Sequence, residues 1–432
     1  MAYPVMIGQL GIIMMGIVDS AMVGRIGADP LAASSIANGL FILVLIIGIG
    51  VSYVISPLVS IAIGSNNQKE CESIFKQSFY VNVILGFFLM LISFFASELV
   101  AYLNQPSEVE RLAIPYIRIL SISIIPVMVF QTYKQFIEGM SIMKPAMIIT
   151  IAANIINALA NWVFIFGNLG LPALGLNGAG LATLSSRTFM MAGIIIYVIR
   201  TSTLKDYRLS ILPIQLDKRM IVKILSLGIP GGMQYFFEVG SFAFASVMIG
   251  WIGTIELAAH QIALSLSSVS YMIILGISSA AAIRVGRFVG EKNIKETRKA
   301  GFTALLLSAS IMLFFGFIFI TGKELLPSLY IDNSEVISIA SSLLIITAIF
   351  QVFDGTQATG IGILRGITDM KIPTLITFTS YWIIGLPSGY LFAFVFKAGV
   401  IGIWLGFLLC LITSALLLTL RFNYKSKQII IH

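Results

Sequence analysis

Charged residues, histidine and cysteine are all scarce in this chain. Among 432 residues, 11% are Asp, Glu, Lys or Arg, while His and Cys each occur only twice. The two cysteines, Cys71 and Cys410, supply neither a disulfide framework nor metal-ligand spacing, and we expect both to be inert. There is also no GxxxxGK[ST] motif and no polar loop long enough for a nucleotide-binding domain. These absences argue against a disulfide scaffold, a transition-metal site and an ATPase within this chain.

Long hydrophobic runs are what the sequence has in abundance. Hydrophobic residues make up 58% of it, and the mean hydropathy is +0.99. A spanning helix needs about 20 mostly apolar residues, and twelve segments meet that requirement. They run approximately from Pro4 to Val23, Leu31 to Gly64, Phe79 to Leu103, Ile114 to Ile137, Pro145 to Phe166, Ala179 to Ile199, Ile221 to Trp251, Leu257 to Gly290, Ala300 to Tyr330, Val336 to Leu364, Ile372 to Phe396 and Val400 to Phe422. We therefore predict an all-α polytopic membrane protein with 12 transmembrane helices.

The basic residues are distributed unequally between the two sides of these spans. Assigned to the nearer loop or end, 21 of the 27 Lys and Arg residues, Lys134 among them, belong to one side, five to the other, and Arg187 to the sixth span. This bias follows the positive-inside rule, so the net charge of +8 does not indicate a nucleic-acid partner. We predict a cytoplasmic (inner) membrane protein with both termini in the cytoplasm.

An internal repeat divides the chain. Val23–Ala37 (VGRIGADPLAASSIA) and Ile249–Ala263 (IGWIGTIELAAHQIA) match at eight of fifteen positions with an offset of 226. Later, EGMSIMKP from Glu138 resembles RGITDMKIP from Arg365, an offset of 227. The match is too long to be chance apolar similarity.

Each copy contains six spans, and this even number gives both copies the same orientation, related by an axis along the membrane normal. We therefore predict two pseudo-symmetric six-helix bundles around a central cleft. Residues 1–200 form the first bundle, 201–220 a basic cytoplasmic linker, and 221–432 the second bundle. Bundles related in this way are typical of transporters that expose the cleft to each side in turn.

Three carboxyl groups lie inside predicted spans: those of Asp19, Glu238 and Asp354. A charge at bilayer depth costs roughly 2.5–3.5 kcal/mol on insertion scales, so such groups face a protein-lined cavity and are candidates for function. Asn157 and Asn161, four residues apart, share one helix face and could form an all-oxygen cluster with Asp19. The alternatives are structural: an acid paired with an arginine, and asparagines that only hold helices together.

Three long segments carry a family resemblance. DSAMVGRIGADPLAA from Asp19, NIINALANWVFIFG from Asn154 and QYFFEVGSFAFASVMIGWIGTIELAAHQIAL from Gln234 resemble the multidrug and toxic compound extrusion (MATE) transporters over essentially the whole chain. The acidic pair of Glu238 and Asp354 is similar to the NorM branch rather than the DinF branch. The resemblance implies an antiporter that exports bulky organic cations in exchange for Na⁺ or H⁺, with no other cofactor.

The same resemblance implies roles for particular residues. Asp19, Asn157 and Asn161 match the polar cluster of the first bundle, and Glu238 and Asp354 match the cation site of the second, where they are candidate Na⁺ ligands. A carboxyl in an apolar surround can exchange a proton, a sodium ion or a cationic drug for one another, which would couple ion entry to drug release. Asp19 would be a second such site.

Three further residues are candidate contacts for cargo. Phe350 lies one turn before Asp354, where some family members have tyrosine, and its ring keeps a face for cation–π contact. Gln261 is a candidate by family analogy, and Asp332 could attract cations near the external mouth. We expect His260 to have a packing or capping role rather than to titrate.

Two other functions remain open at this point. A lipid-linked sugar flippase of the wider superfamily would need a cationic cavity for the pyrophosphate, whereas the central charges predicted here are acidic. A passive cation channel would need a selectivity ring built by oligomer symmetry, whereas this chain carries its pseudo-symmetry internally. The prediction is therefore a monomeric exporter, not an enzyme, whose partners are small organic cations and the lipid bilayer.

Overall fold

The computed structural model describes residues 2–103, 105–205, 207, 209 and 216–428. Within these residues the chain forms helices and turns and no strand. Twelve of the described helices are long and apolar enough to cross a membrane, which confirms the predicted fold class. In chain order they are α1 Ala2–Gly24, α2 Ala28–Gly64, α3 Gln68–Tyr102, α4 Ser107–Gly139, α5 Lys144–Phe166, α6 Gly175–Arg200, α7 Lys218–Gly250, α8 Thr254–Gly290, α9 Ile294–Thr321, α10 Ser334–Gly366, α11 Lys371–Val395 and α12 Gly399–Lys427.

One difference from the predicted spans concerns α9. This helix ends at Thr321, whereas the sequence predicted a span reaching Tyr330. Gly322 and Lys323 follow its last turn, and glycine is among the poorest helix formers. The apolar run beyond them forms a separate short helix, Leu325–Ser328.

The chain folds into two compact units, Tyr3–Gly232 and Met233–His432. Unit 1 contains α1–α6 and the start of α7, and unit 2 contains the rest of α7 and α8–α12. The predicted bundle limits, 1–200 and 221–432, stay a prediction, because part of the linker at 201–220 lies outside the described residues.

The sequence repeat reappears as matching local structure in the two units. Asn67 caps α3 and Asn293 caps α9, and each side-chain oxygen accepts a hydrogen bond from the backbone N–H three residues later, at 3.1 and 3.0 Å. The residue before each cap, Asn66 or Lys292, has a positive φ of 54° or 57°. Two asparagine caps and two left-handed turns at equivalent positions indicate that the copies share backbone geometry as well as sequence.

Close helix crossings are a second shared feature. In unit 1 a Cβ on Gly139 would lie 2.7 Å from the carbonyl oxygen of Ser56, and in unit 2 a Cβ on Gly366 would lie 2.7 Å from that of Ala282. Each glycine ends the helix, α4 or α10, whose C-terminal half is most enclosed within its unit. Glycine is needed at these positions because any side chain would separate the crossing helices.

We predict that Gly139→Ala destabilises the protein by about 1–3 kcal/mol, because overpacking forces backbone shifts. The measurement is the thermal unfolding midpoint of the purified protein in detergent. Gly39→Ala is the matched control, since a Cβ there meets nothing within 4 Å. An equal midpoint for the two variants would contradict the close crossing.

Candidate functional site

Glu238 and Asp354 line one small cavity inside unit 2. Its volume is about 180 Å³, and Tyr271 and Phe350 are among the other residues that line it. Glu238 comes from α7, Tyr271 from α8, and both Phe350 and Asp354 from α10. The carboxylate side chains are almost fully enclosed, with 6% of Glu238 and 8% of Asp354 exposed. The structure thus brings together the two acids that the sequence singled out in the second half of the chain.

Hydrogen bonds between α8 and α10 set the position of this cavity. Ser270 Oγ donates to Gln351 Oε1 at 2.9 Å, and Ser278 Oγ donates to the carbonyl oxygen of Ala358 at 2.6 Å. Both pairs are buried, where a satisfied polar contact stabilises one specific packing. The helices that carry Tyr271 and Asp354 are therefore held in register.

The two carboxylates differ in their partners. Tyr271 Oη donates to Glu238 Oε1 at 2.7 Å. Within the described part of the chain, no group donates a hydrogen bond to Asp354. Burying a carboxylate without a partner costs free energy. We therefore expect Asp354 to bind a proton or a cation. The carboxylate and hydroxyl oxygens around this cavity, including that of Ser267, are the ligand type that hard cations take.

A buried chain of rings supports the aromatic wall of the cavity. The centroids of Phe350 and Trp404 are 5.4 Å apart, and Trp404 Nε1 donates to His260 Nδ1 at 3.2 Å. His260 Nε2 lies 3.0 Å from Ser246 Oγ. The indole can only donate, so the imidazole Nδ1 is the acceptor, and a neutral ring places its proton on Nε2, toward the serine. His260 therefore has a packing role, one of the two roles expected from the sequence, and it adds hydrogen bonds to two side chains.

A second polar group lies inside unit 1. Asn161 Nδ2 donates to Asp19 Oδ1 at 2.5 Å and lies 3.3 Å from Asn157 Oδ1. Thr183 Oγ1 donates to the other carboxylate oxygen of Asp19 at 3.3 Å. These residues come from α1, α5 and α6, and both asparagines are fully buried. The structure therefore brings the three predicted residues together and adds Thr183. The cluster is not the all-oxygen one suggested by the sequence, because Asn161 presents its amide nitrogen to Asp19 and Asn157.

This cluster is at one edge of a larger cavity, of about 580 Å³, whose lining is mostly apolar. The charged groups in the lining are Asp19, Lys134 and Arg187. Arg187 donates to Ser123 Oγ at 2.5 Å, and its guanidinium lies 5.1 Å from the ring centroid of Phe41. Cavities of this size suit drug-sized molecules.

The structure shows that Lys134 is buried inside unit 1. Counted by proximity as an inner-side charge, this residue is 6% exposed and lies within α4. Its Nζ is 3.9 Å from Glu138 Oε1, one turn along the same helix. The sequence did contain a signal for this burial: Lys134 and Glu138 are four residues apart, at the end of an apolar span.

The candidate cargo contacts separate into two groups. Phe350 lines the cavity beside Asp354, and its contact with cargo stays a prediction. Gln261 and Asp332 are exposed, and neither lines this cavity or the larger cavity of unit 1. Tyr271 was missed by the sequence analysis, although a polar stripe on α8, with Ser267 four residues before the tyrosine, pointed to it.

The fold and these two sites define a polytopic helical membrane protein made of two similar units, each with charged groups inside a membrane-embedded cavity. The MatE family model matches the chain twice, at residues 4–163 and 230–391, in agreement with the internal repeat. The chain belongs to this family.

Several known proteins resemble it along nearly their whole length. A probable multidrug resistance protein NorM from Agrobacterium fabrum is 34% identical over 98% of this chain and 91% of its own. NorM of Vibrio vulnificus is 32% identical, over 99% and 95%, and the multidrug resistance protein MdtK of Yersinia pseudotuberculosis is 31% identical, over 99% and 95%.

Solved structures share the fold. An outward-facing multidrug resistance MATE family transporter superposes with a TM-score of 0.91 at 19% identity, covering 99% of this chain and 95% of the other. The eukaryotic MATE transporter AtDTX14 gives 0.89 at 20% identity, covering 99% and 96%. At sequence identities of 19% and 20%, these superpositions show that the fold is shared, and they show nothing about function.

We predict that Asp19 and Asn161 are energetically coupled. In a double-mutant cycle built from Asp19→Asn and Asn161→Leu, the coupling energy should be about 1–3 kcal/mol, the range for contacting residues that share a hydrogen bond to a charged group. The measurement is the unfolding midpoint of the wild type, both single variants and the double variant. Asn154→Leu is the control partner, because Asn154 bonds to the backbone of its own helix and should be additive with Asp19→Asn. Additivity for Asn161 as well would contradict the cluster.

Proposed function

We propose that this protein is a multidrug exporter of the cytoplasmic membrane, a cation-coupled antiporter that uses Na⁺ or H⁺ and moves cationic amphipathic compounds outward by alternating access. The relatives' names support export of drugs, and the family membership supports ion coupling. One observation carries the ion-coupled part most directly: the Asp354 carboxylate is buried in a small cavity without a protein donor. A proton or a cation bound in the cavity would stabilise such a group.

The sizes of the two cavities support a division of roles. The unit 2 cavity, about 180 Å³, is below the range for drug-sized ligands, about 300–1,000 Å³, and suits a small ion. The unit 1 cavity, about 580 Å³, falls within that range. In this scheme Glu238 and Asp354 bind the coupling ion, and Asp19 meets the positive charge of the cargo.

Export requires that the two ligands favour different conformations. A ligand shifts a conformational equilibrium only by its differential affinity for the two states. An ion that binds preferentially to one state of unit 2, and a cargo that binds preferentially to the other state of unit 1, would exchange across the membrane. We place both termini in the cytoplasm, on the positive-inside bias, and propose that one chain is the transporting species.

The charges of unit 1 favour one alternative function. The central charges were expected to be acidic, which holds for the unit 2 cavity, but Lys134 and Arg187 outnumber Asp19 in the lining of unit 1. A lipid-linked sugar flippase, whose pyrophosphate needs cationic groups, is therefore the second candidate. The relatives named for multidrug resistance favour drug export.

The proposed function predicts that Asp354→Asn and Glu238→Gln each lower gradient-driven export at least about tenfold, a loss within the usual range for allosteric coupling. The measurement is efflux of a cationic dye from vesicles containing the purified protein, with a sodium or a proton gradient imposed one at a time. Asp332→Asn is the matched control, an acid-to-amide change in an exposed segment, and should transport normally.

Two outcomes would contradict the proposal. Unchanged gradient-dependent efflux in both Asp354→Asn and Glu238→Gln would remove the ion site. Equal dye movement by the wild type with no gradient and with either gradient would favour a facilitator or a flippase.

A further inference from the structure

Lys134 is a buried charge to which the proposed function gives no role. It is buried, it lines the large cavity of unit 1, and its only charged neighbour within 4 Å among the described residues is Glu138. Their separation of 3.9 Å is longer than a hydrogen bond, so the ammonium group has unused donors. Glu138 does not line the cavity, whereas Lys134 does. The cavity therefore meets the positive member of this pair.

Lys134 and Asp19 lie toward opposite ends of unit 1. Helices α1 and α5 run parallel, because Asp19 contacts Asn161 while Gly11 packs beside Asn154. Asp19 thus lies level with the fifth residue before the end of α5. Lys134 is five residues before the end of α4, from which the chain turns back into α5. Asn161 is 17 residues from the start of α5 and Lys134 is five residues from the end of α4. At 1.5 Å per residue, the two groups are therefore separated by roughly 18 Å along the helix axes.

Between these poles the walls are largely apolar, with the aromatic side chains of Phe130 and Tyr116 among them. Arg187 lies toward the Asp19 end, one helical turn from Thr183, which donates to Asp19. Its guanidinium interacts electrostatically with Asp19 and also contacts Ser123 and the Phe41 ring. At the Asp19 end the charges of Asp19 and Arg187 therefore offset each other, whereas at the other end Lys134 presents a positive charge with no acid in the cavity lining.

We propose that Lys134 is a specificity-determining residue that binds an acidic group on the cargo, so that the unit 1 cavity selects elongated amphipaths carrying a cation at one end and a carboxylate or a similar anion at the other. This inference rests on the proposed function and names the cargo class of its larger site. An acid on the cargo fills the unused donors of a buried ammonium with charge-assisted hydrogen bonds, which are about twice as strong as neutral ones. A purely cationic cargo leaves them unfilled.

A matched pair of dyes tests this. Rhodamine 6G is a cationic ethyl ester, and rhodamine 19 is the free acid of the same dye, so the two differ only at the acidic group. Efflux of each is measured in the same vesicles and expressed as kcat/KM. Lys134→Met should lower the acid-to-ester ratio about tenfold, which corresponds to the loss of one charge-assisted hydrogen bond, and Lys134→Arg should largely retain it.

The design separates failure to fold from failure of the inference. Removing Lys134 alone leaves Glu138 buried without its charge partner, which is destabilising. The double variant Lys134→Met with Glu138→Met removes both charges and should show the same lowered ratio. Lys144→Met, at the exposed start of α5, is the control and should leave the ratio unchanged.

A ratio that stays at the wild-type value in the double variant, while ester efflux continues, would overturn the role of Lys134 and leave the exporter intact. A ratio that falls in Arg187→Gln and not in the Lys134 variants would also overturn it. Loss of gradient-driven efflux of both dyes by the wild type would count against the proposed function instead.

Discussion

The cost of removing carboxylates from water is the constraint on which the rest of this structure depends. In hydrocarbon no solvent is available to satisfy a polar group, so each must be satisfied by protein, by an ion or by trapped water. Asp19 meets this requirement with an asparagine and a threonine, and Glu238 with a tyrosine. Asp354 does not meet it within the described chain. Cavities occur where these acids lie because packing a side chain against an ionised carboxylate would be less favourable than leaving space for a ligand.

The two units solve the same packing problem with different chemistry. Their caps and glycine crossings are equivalent, and so are several of the positions that line their cavities. The unit 2 cavity has Glu238, Tyr271 and Asp354 among its polar residues. By the repeat offsets of 226 and 227, their equivalents in unit 1 are Ile12, Leu45 and Val127, all of which line the larger cavity. The shared backbone therefore positions a cavity in each half, and side-chain identity alone makes one small and acidic and the other large, apolar and charged at its ends.

The sequence was sufficient for the architecture because that architecture follows from local signals. The length of the apolar runs predicts the spans, and the long internal match predicts the duplication. The candidate acids stand out because acidic residues are rare within spans. What sequence reasoning missed was charge inside a span but near its end. Lys134 was assigned to the inner side because position along a span does not reveal which helix face points inward. Tyr271 was missed because a phenol in an apolar helix is common, and only its 2.7 Å hydrogen bond to Glu238 distinguishes it.

The different sizes of the cavities also constrain how ion and cargo would be coupled. If both competed for one carboxylate, a single site would have to admit a bulky amphipath and a small ion, yet the unit 2 cavity, at about 180 Å³, is too small for the former. Coupling in the proposed exporter therefore has to pass through a conformational equilibrium that both ligands bias, with the ion acting through Glu238 and Asp354 and the cargo through Asp19. Linkage then requires that each ligand weaken the other's binding by the same factor, although the two never touch the same side chain.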